Sequence, residues 1–288
     1  MSRLFQDMQD AGRGSGAQPA NAEVLAQLLQ EVGAGRETAR DGESGINDNG
    51  LRLELPPLSR PVLTATDETP WTHTAFEGYR ALRTKLVRFQ ATQGIHSLVL
   101  TSAEAGAGKT VSITNLAFSV AQLPSQRVLL VDADLRTCGL SRALGALHTP
   151  GLAEILANEA SFKAVTASTN VPNLYIVAAG QAKKPAADLF SGPRFKEFIG
   201  WCSETFTMIL VDCPPMIGLA DFEVVSAACD GVLLVIRARR TKRERLADLL
   251  PQLRDKKVLG VLFNGQERQH YKSRYGYYYS KVGKGHAG

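Results

Sequence analysis

The 288-residue sequence predicts an α/β protein built on a doubly wound, mostly parallel sheet. Three observations carry this reading. Six short apolar runs recur as continuous stretches of β-branched residues and leucine, which is how strands covered on both faces read. Segments of helical pattern separate them, the order expected of βαβ units. The first run also leads directly into a glycine-rich phosphate-loop motif, which in such folds joins a strand to a helix.

In chain order the apolar runs are residues 96–100 (HSLVL), 127–131 (RVLLV), 173–178 (NLYIVA), 208–211 (MILV), 231–236 (GVLLVI) and 258–263 (VLGVLF). Helical segments are expected near 108–122, 152–158, 187–206, 219–228 and 241–256, with a further helix around residues 77–83. The domain is therefore assigned to residues 72–265. Residues 1–71 read as a flexible arm, rich in Gly, Ala, Asp, Glu, Asn and Pro and too poor in aromatics to bury a core. Two short amphipathic segments interrupt the arm. Met1–Gln9 places Leu4, Phe5 and Met8 on one helical face; Asn21 is a candidate cap for a stripe of Val24, Leu25, Leu28, Leu29 and Val32. Residues 266–288 read as a flexible tail holding five of the seven tyrosines: Tyr271, Tyr275, Tyr277, Tyr278 and Tyr279.

Composition narrows the function classes. No run approaches the ~18 apolar residues of a membrane span, and the first residues lack a signal peptide's apolar core, so a cytoplasmic protein is expected. The four cysteines include no Cys-x-x-Cys pair, which argues against zinc and redox chemistry. Residues 1–70 carry a net charge of −5 and the remainder +10. A basic excess of that size suits nucleic acid, acidic lipid or a polyphosphate ligand, and does not choose among them.

The phosphate-loop motif is Ala103-Glu-Ala-Gly-Ala-Gly-Lys-Thr110, with Ala103 where the usual pattern has glycine. Gly106 and Gly108 permit the tight turn that aims successive backbone N–H groups at phosphate oxygens. Ala107 and Val111 complete the candidate nucleotide-binding backbone around a helix starting near Gly108. Lys109 supplies charge for the phosphates, and the Thr110 hydroxyl is a candidate magnesium ligand. Asp132, followed by Asp134 and Arg136, and Asp212 each close an apolar run. Ligands in open α/β sheets bind at the carboxyl ends of strands, so both aspartates fall at the rim of the phosphate loop. Asp212 is placed to hold magnesium, directly or through water.

Asp132-Ala-Asp-Leu-Arg136 resembles the second Walker motif of the bacterial tyrosine kinases (BY-kinases), and Asp212-Cys-Pro-Pro215 resembles their Walker B motif. The resemblance covers residues 72–279 and includes Asn115-Leu-Ala117 and the segments GLSRALG and GLAEIL. It implies a P-loop NTPase fold of the ParA/MinD-like type and an ATP- and magnesium-dependent tyrosine autokinase of capsule or exopolysaccharide synthesis. In that reading Lys109, Asp132, Asp134 and Asp212 are catalytic. Thr110, Asp132 and Asp212 hold the metal, with Asp132 also taking the tyrosine proton. Asn264 is a candidate contact to the nucleotide base. The tail tyrosines are the phosphoacceptors, modified by a neighbouring subunit. Glu77, Arg80 and Arg83 lie within an arc of about 120° on one helix face, and in the family this helix pairs subunits into a ring. The resemblance further implies a membrane-anchored chain-length-determinant activator, a tyrosine phosphatase, a peripheral position at the inner membrane through a partner, and no nucleic acid.

Two other function classes compete. A ParA/MinD-type switch ATPase shares the fold, but its phosphate loop carries a lysine five residues before the loop lysine; that position is Glu104 here. A nucleotide-binding scaffold would keep the loop and lose transfer. A eukaryotic-type kinase is excluded, because the sequence has neither His-Arg-Asp nor Asp-Phe-Gly.

Overall fold

All six apolar runs form strands. A computed structural model describes residues 52–53, 70–216 and 221–265. The amphipathic segments of the arm, residues 219–220 of one expected helix and the tyrosine cluster lie outside the described residues. The order is β1 (Arg52–Leu53), α1 (Pro70–Gln93), β2 (Ser97–Ser102), α2 (Lys109–Ala121), β3 (Val128–Asp132), α3 (Gly139–Ala143), α4 (Leu152–Leu156), α5 (Phe162–Val165), β4 (Ala167–Thr169), β5 (Leu174–Val177), α6 (Ala186–Phe190), α7 (Arg194–Thr205), β6 (Met208–Asp212), α8 (Asp221–Ala227), β7 (Gly231–Arg237), α9 (Arg243–Leu253) and β8 (Val258–Asn264).

The strands form one sheet in the order β1-β4-β5-β3-β6-β2-β7-β8. Every pairing is parallel except β4 with β5. The phosphate-loop strand β2 thus sits between β6 and β7, both of which run parallel to it.

Strand alternation builds a core on each face of the sheet. Val99, Leu129, Val131, Ile209, Val211 and Leu234 meet Phe190, Phe195, Phe198 and Phe222 on one side. Leu98, Leu100, Leu130, Leu210 and Leu233 meet Ile113, Leu116, Val120 and Leu86 on the other. The strand residues of both sets are fully or almost fully buried, which is why the runs carry no polar alternation.

The structure departs from the sequence reading in three places. The helix expected over 187–206 is two helices, α6 and α7, separated at Ser191-Gly192-Pro193. Pro193 has no N–H to continue the first helix and is well suited to open the second. Strand β4 and helices α3 and α5 were not anticipated; at three to five residues they carry no periodic signal. Arg52–Leu53, assigned to the arm, pairs in parallel with β4 as the sheet's edge, and Leu53 packs into the second core.

Candidate active site

Strand β2 ends at Ser102 and α2 begins at Lys109, so residues 103–108 form the phosphate loop. Gly106 (φ +75°) and Gly108 (φ +90°) both occupy the left-handed region that glycine alone enters without strain. Ala103, in place of the customary glycine, is buried and packs into the first core.

Two side chains grip the loop from outside. Arg237 Nη1 donates to the Gly106 carbonyl at 2.8 Å, and Asn264 Nδ2 donates to the Ala107 carbonyl at 3.0 Å. Arg237 and Asn264 are register partners at the ends of β7 and β8. A trans peptide directs its C=O and N–H oppositely. Holding these two carbonyls therefore turns the N–H groups of Ala107 and Gly108 the other way, toward an anion in the loop. A Cβ on Gly108 would overlap the Asn264 side-chain amide. Lys109 and Thr110 open α2, where backbone N–H groups lack helical partners. Val111, the third residue of α2, has an exposed side chain.

Asp132 and Asp212 are the last residues of adjacent strands and are paired in register, so their carboxyls share one rim. Thr110 Oγ1 donates to Asp212 Oδ2 at 2.7 Å. Asp212 Oδ1 is buried and has no hydrogen-bond partner among the described residues. Burial, and next the Asp132 charge, push the Asp212 carboxyl up to about 7; the Thr110 hydroxyl partly offsets this. Burial likewise pushes Asp132 up to about 6 against the donors of Ser141.

An orphaned buried carboxylate oxygen is rare in folded proteins, and here it lies on the carboxylate that Thr110 of α2 contacts. A cation satisfies both. Among the described residues no three His, Cys, Asp or Glu side chains would hold a metal ion alone. One or two carboxylates, a hydroxyl and substrate phosphates are the donor set magnesium takes. The residues therefore fit the implied metal.

Asp132 is held by a residue the sequence reading did not single out. Both the backbone N–H (2.8 Å) and the Oγ (2.7 Å) of Ser141 donate to Asp132 Oδ2, and Ser141 Oγ accepts the Ala179 N–H at 2.8 Å. Ser141→Ala is expected to cost about 1–3 kcal/mol, because it strands a buried N–H and removes one carboxylate donor; a lowered Tm is the readout.

Asp134 is engaged locally: Thr137 N–H donates to Oδ1 at 3.1 Å and Thr137 Oγ1 to Oδ2 at 2.8 Å. It shapes the turn into α3. Arg136 Nε donates to the buried Asp221 at 3.0 Å, which ties this turn to the start of α8. Strand β8 ends at Asn264, whose side chain holds the loop.

On α1, Glu77 and Arg80 form an exposed ion pair at 3.1 Å. Arg83 instead donates to the Ser119 carbonyl (2.9 Å) and to Gln122 Oε1 (3.3 Å), fastening α1 to α2. The functional residues missed by sequence reasoning are thus Ser141, Arg237 and Asp221. Their only signal was position. Ser141 lies in GLSRALG shortly after the aspartate motif, and Arg237 closes an apolar run at the ligand-binding end of its strand.

Comparison with known proteins identifies relatives of this chain. An AAA domain family matches residues 96–257. The tyrosine-protein kinase YwqD of Bacillus subtilis is 31% identical over 207 residues, covering 71% of this chain and 86% of that protein. The putative tyrosine-protein kinase EpsB of Ralstonia solanacearum is 34% identical over 210 residues, covering 71% of this chain and 28% of that longer protein. The kinase domain of the Escherichia coli tyrosine kinase ETK superposes with a TM-score of 0.65 at 28% identity, covering 73% of this chain and 82% of that one. The chain belongs to the bacterial tyrosine-protein kinase family.

Proposed function

We propose that the chain is an ATP- and magnesium-dependent tyrosine autokinase whose subunits phosphorylate one another's tail at Tyr271, Tyr275, Tyr277, Tyr278 and Tyr279. The observation that carries this reading is the Thr110–Asp212 contact with its orphaned Asp212 oxygen, on the same rim as Asp132 and the phosphate loop. Thr110 and Asp212 would hold magnesium, which would supply charge neutralisation at the transferring phosphoryl group. Lys109 and the loop N–H groups hold the phosphates. Transfer passes through a loose transition state, so positioning and charge do most of the work. Asp132, fixed by Ser141, orients the tyrosine hydroxyl and takes its proton. A phenol with a pKa near ~10 is protonated at neutral pH, so a carboxylate raised to about 6 is a better-matched acceptor than an ordinary one. Asp134 and Arg136 act on the shape of that turn, and Asn264 acts on the loop backbone.

Among the described residues no helix is long and apolar enough to cross a membrane. A membrane-anchored activator, a ring held through Glu77, Arg80 and Arg83, an opposing phosphatase and a role in polysaccharide export follow from family membership and complete the proposal. A complementation assay tests the transfer between subunits. Lys109→Met with an intact tail is mixed with a chain whose five tail tyrosines are Phe, and ATP–magnesium is added. Phosphate is expected on the Lys109→Met chain alone. A switch ATPase would instead turn over ATP and leave both chains unmodified.

A further inference from the structure

The loop between β7 and α9 is the most basic segment of the described domain. Residues 237–246 hold six Lys or Arg and one Glu. Two of the six serve the phosphate loop: Arg237 binds the Gly106 carbonyl, and Arg245 pairs with Glu104 at 3.5 Å. Arg239, Arg240, Lys242 and Arg243 are exposed. The loop is a built turn. Arg240 and Thr241 N–H groups donate to the Arg237 carbonyl at 3.2 and 3.0 Å, Thr241 Oγ1 accepts the Arg237 N–H at 3.1 Å, and Arg239 takes a left-handed φ of 63°. Helix α9 then begins with no side-chain cap on its N-terminal N–H groups. A fixed backbone turn carrying exposed Arg and Lys side chains ahead of an uncapped helix suits phosphate.

The loop also adjoins the point where the tail departs. Ala238 N–H donates to the Asn264 carbonyl at 2.8 Å, and Gly265 lies against Arg237. Tyr271 and Tyr279 lie 6 and 14 residues beyond Gly265, a reach of up to about 20–45 Å of extended chain.

We propose that the β7–α9 loop, through Arg240, Lys242 and Arg243, is a binding site for the phosphorylated tyrosine cluster of its own chain. The proposal rests on the reading that this cluster is the phosphoacceptor. Residues 266–288 carry five Lys or Arg and one Glu, a net of +4, so the unmodified tail is repelled by the loop. Each phosphotyrosine adds about −1.5 to −2, so roughly three reverse the sign. Attachment through Gly265 keeps the tail's effective concentration at the loop high. The modified tail is thereby parked on its own subunit and withdrawn from its neighbour's active site, while the unmodified tail remains available as a substrate.

The test uses the full chain with its five tail tyrosines changed to Phe, so that its own tail cannot compete. The probe is a fluorescent synthetic peptide of residues 268–282 carrying phosphotyrosine at positions 275, 277, 278 and 279, followed by anisotropy. Binding is expected to be about tenfold or more tighter than for the unphosphorylated peptide, and to weaken about tenfold with Arg240→Gln, Lys242→Gln and Arg243→Gln together. Saturating ADP–magnesium is expected to leave it unchanged. Displacement by ADP would put the peptide in the phosphate loop and overturn the proposal, as would indifference to the triple substitution. If phosphatidylglycerol vesicles depend on the three side chains and the peptide does not, the loop is a membrane contact and the proposal falls. Because the peptide arrives already phosphorylated, the outcome is independent of whether the chain itself transfers phosphate.

Discussion

Asp212→Asn is expected to lower the rate of tail phosphorylation by about 10²–10³-fold, the usual loss when one preorganised charge is removed from a transition state. The same substitution is expected to raise the stability of the nucleotide-free protein at pH 8. Both effects follow from one fact: the Asp212 carboxyl is buried, keeps an unpartnered oxygen, and is raised to about 7 from an ordinary 3.8. Between those values the folded state binds a proton that the unfolded chain has released. The contribution of these two carboxyls to the stability of the nucleotide-free protein is therefore complete below about pH 4 and is lost as pH rises through the folded values of about 6 and about 7 for Asp132 and Asp212. Because the two residues are register partners at adjacent strand ends and the Asp132 charge raises Asp212, these steps belong to the pair. A bound cation needs the ionised form and reverses the penalty. Stabilisation by a magnesium–nucleotide complex should thus be larger at pH 8 than at pH 6, and kcat/KM for ATP–magnesium should rise through that window. Thermal melts of both chains at pH 5 and pH 8, with and without magnesium–ADP, check this. A gain in Tm for Asp212→Asn that is confined to the higher pH is the expected pattern.

Gly108→Ala is expected to weaken nucleotide binding by roughly 30- to 1,000-fold with little loss of folded protein. Gly108 sits at φ +90°, where a Cβ is strained, and that Cβ would also displace the Asn264 amide from the Ala107 carbonyl. Strain of about 1–3 kcal/mol and a lost hydrogen bond of about 1 kcal/mol together give that range. The loop, not the core, absorbs the change, so titration with a fluorescent nucleotide should show the loss while the melting transition stays cooperative. Asn264→Ala should reproduce the smaller part of the effect, because it frees the carbonyl without forcing the backbone.

The sheet was legible because its strands are buried on both faces, which writes them as unbroken apolar runs; each of the six appears within two residues of its expected bounds. The loop and the two strand-end aspartates were legible because their chemistry is local in sequence: a turn needing two glycines, and a carboxylate at a strand's carboxyl end. What escaped was set by long-range register. Ser141 reaches Asp132 only after α3 folds back over the end of β3. Arg237 and Asn264 reach the loop only because β7 and β8 pair beside β2. The break between α6 and α7 was written in Gly192-Pro193, but the apolar periodicity on both sides hid it. Arg83 adds a contact that spacing does not show: it shares one helix face with Glu77 and Arg80, and its guanidinium also donates to the Ser119 carbonyl near the end of α2.

The central claim, that this site transfers phosphate to the chain's own tyrosine cluster, is tested most directly by intact mass. Wild type, Lys109→Met and the chain with Tyr271, Tyr275, Tyr277, Tyr278 and Tyr279 changed to Phe are each treated with a tyrosine phosphatase and repurified. Each is then weighed before and after incubation with ATP–magnesium and a candidate membrane activator. The account predicts a ladder of phosphate additions in wild type alone. ATP turnover that leaves the wild-type mass unchanged, or an undiminished ladder on the five-Phe chain, would contradict it.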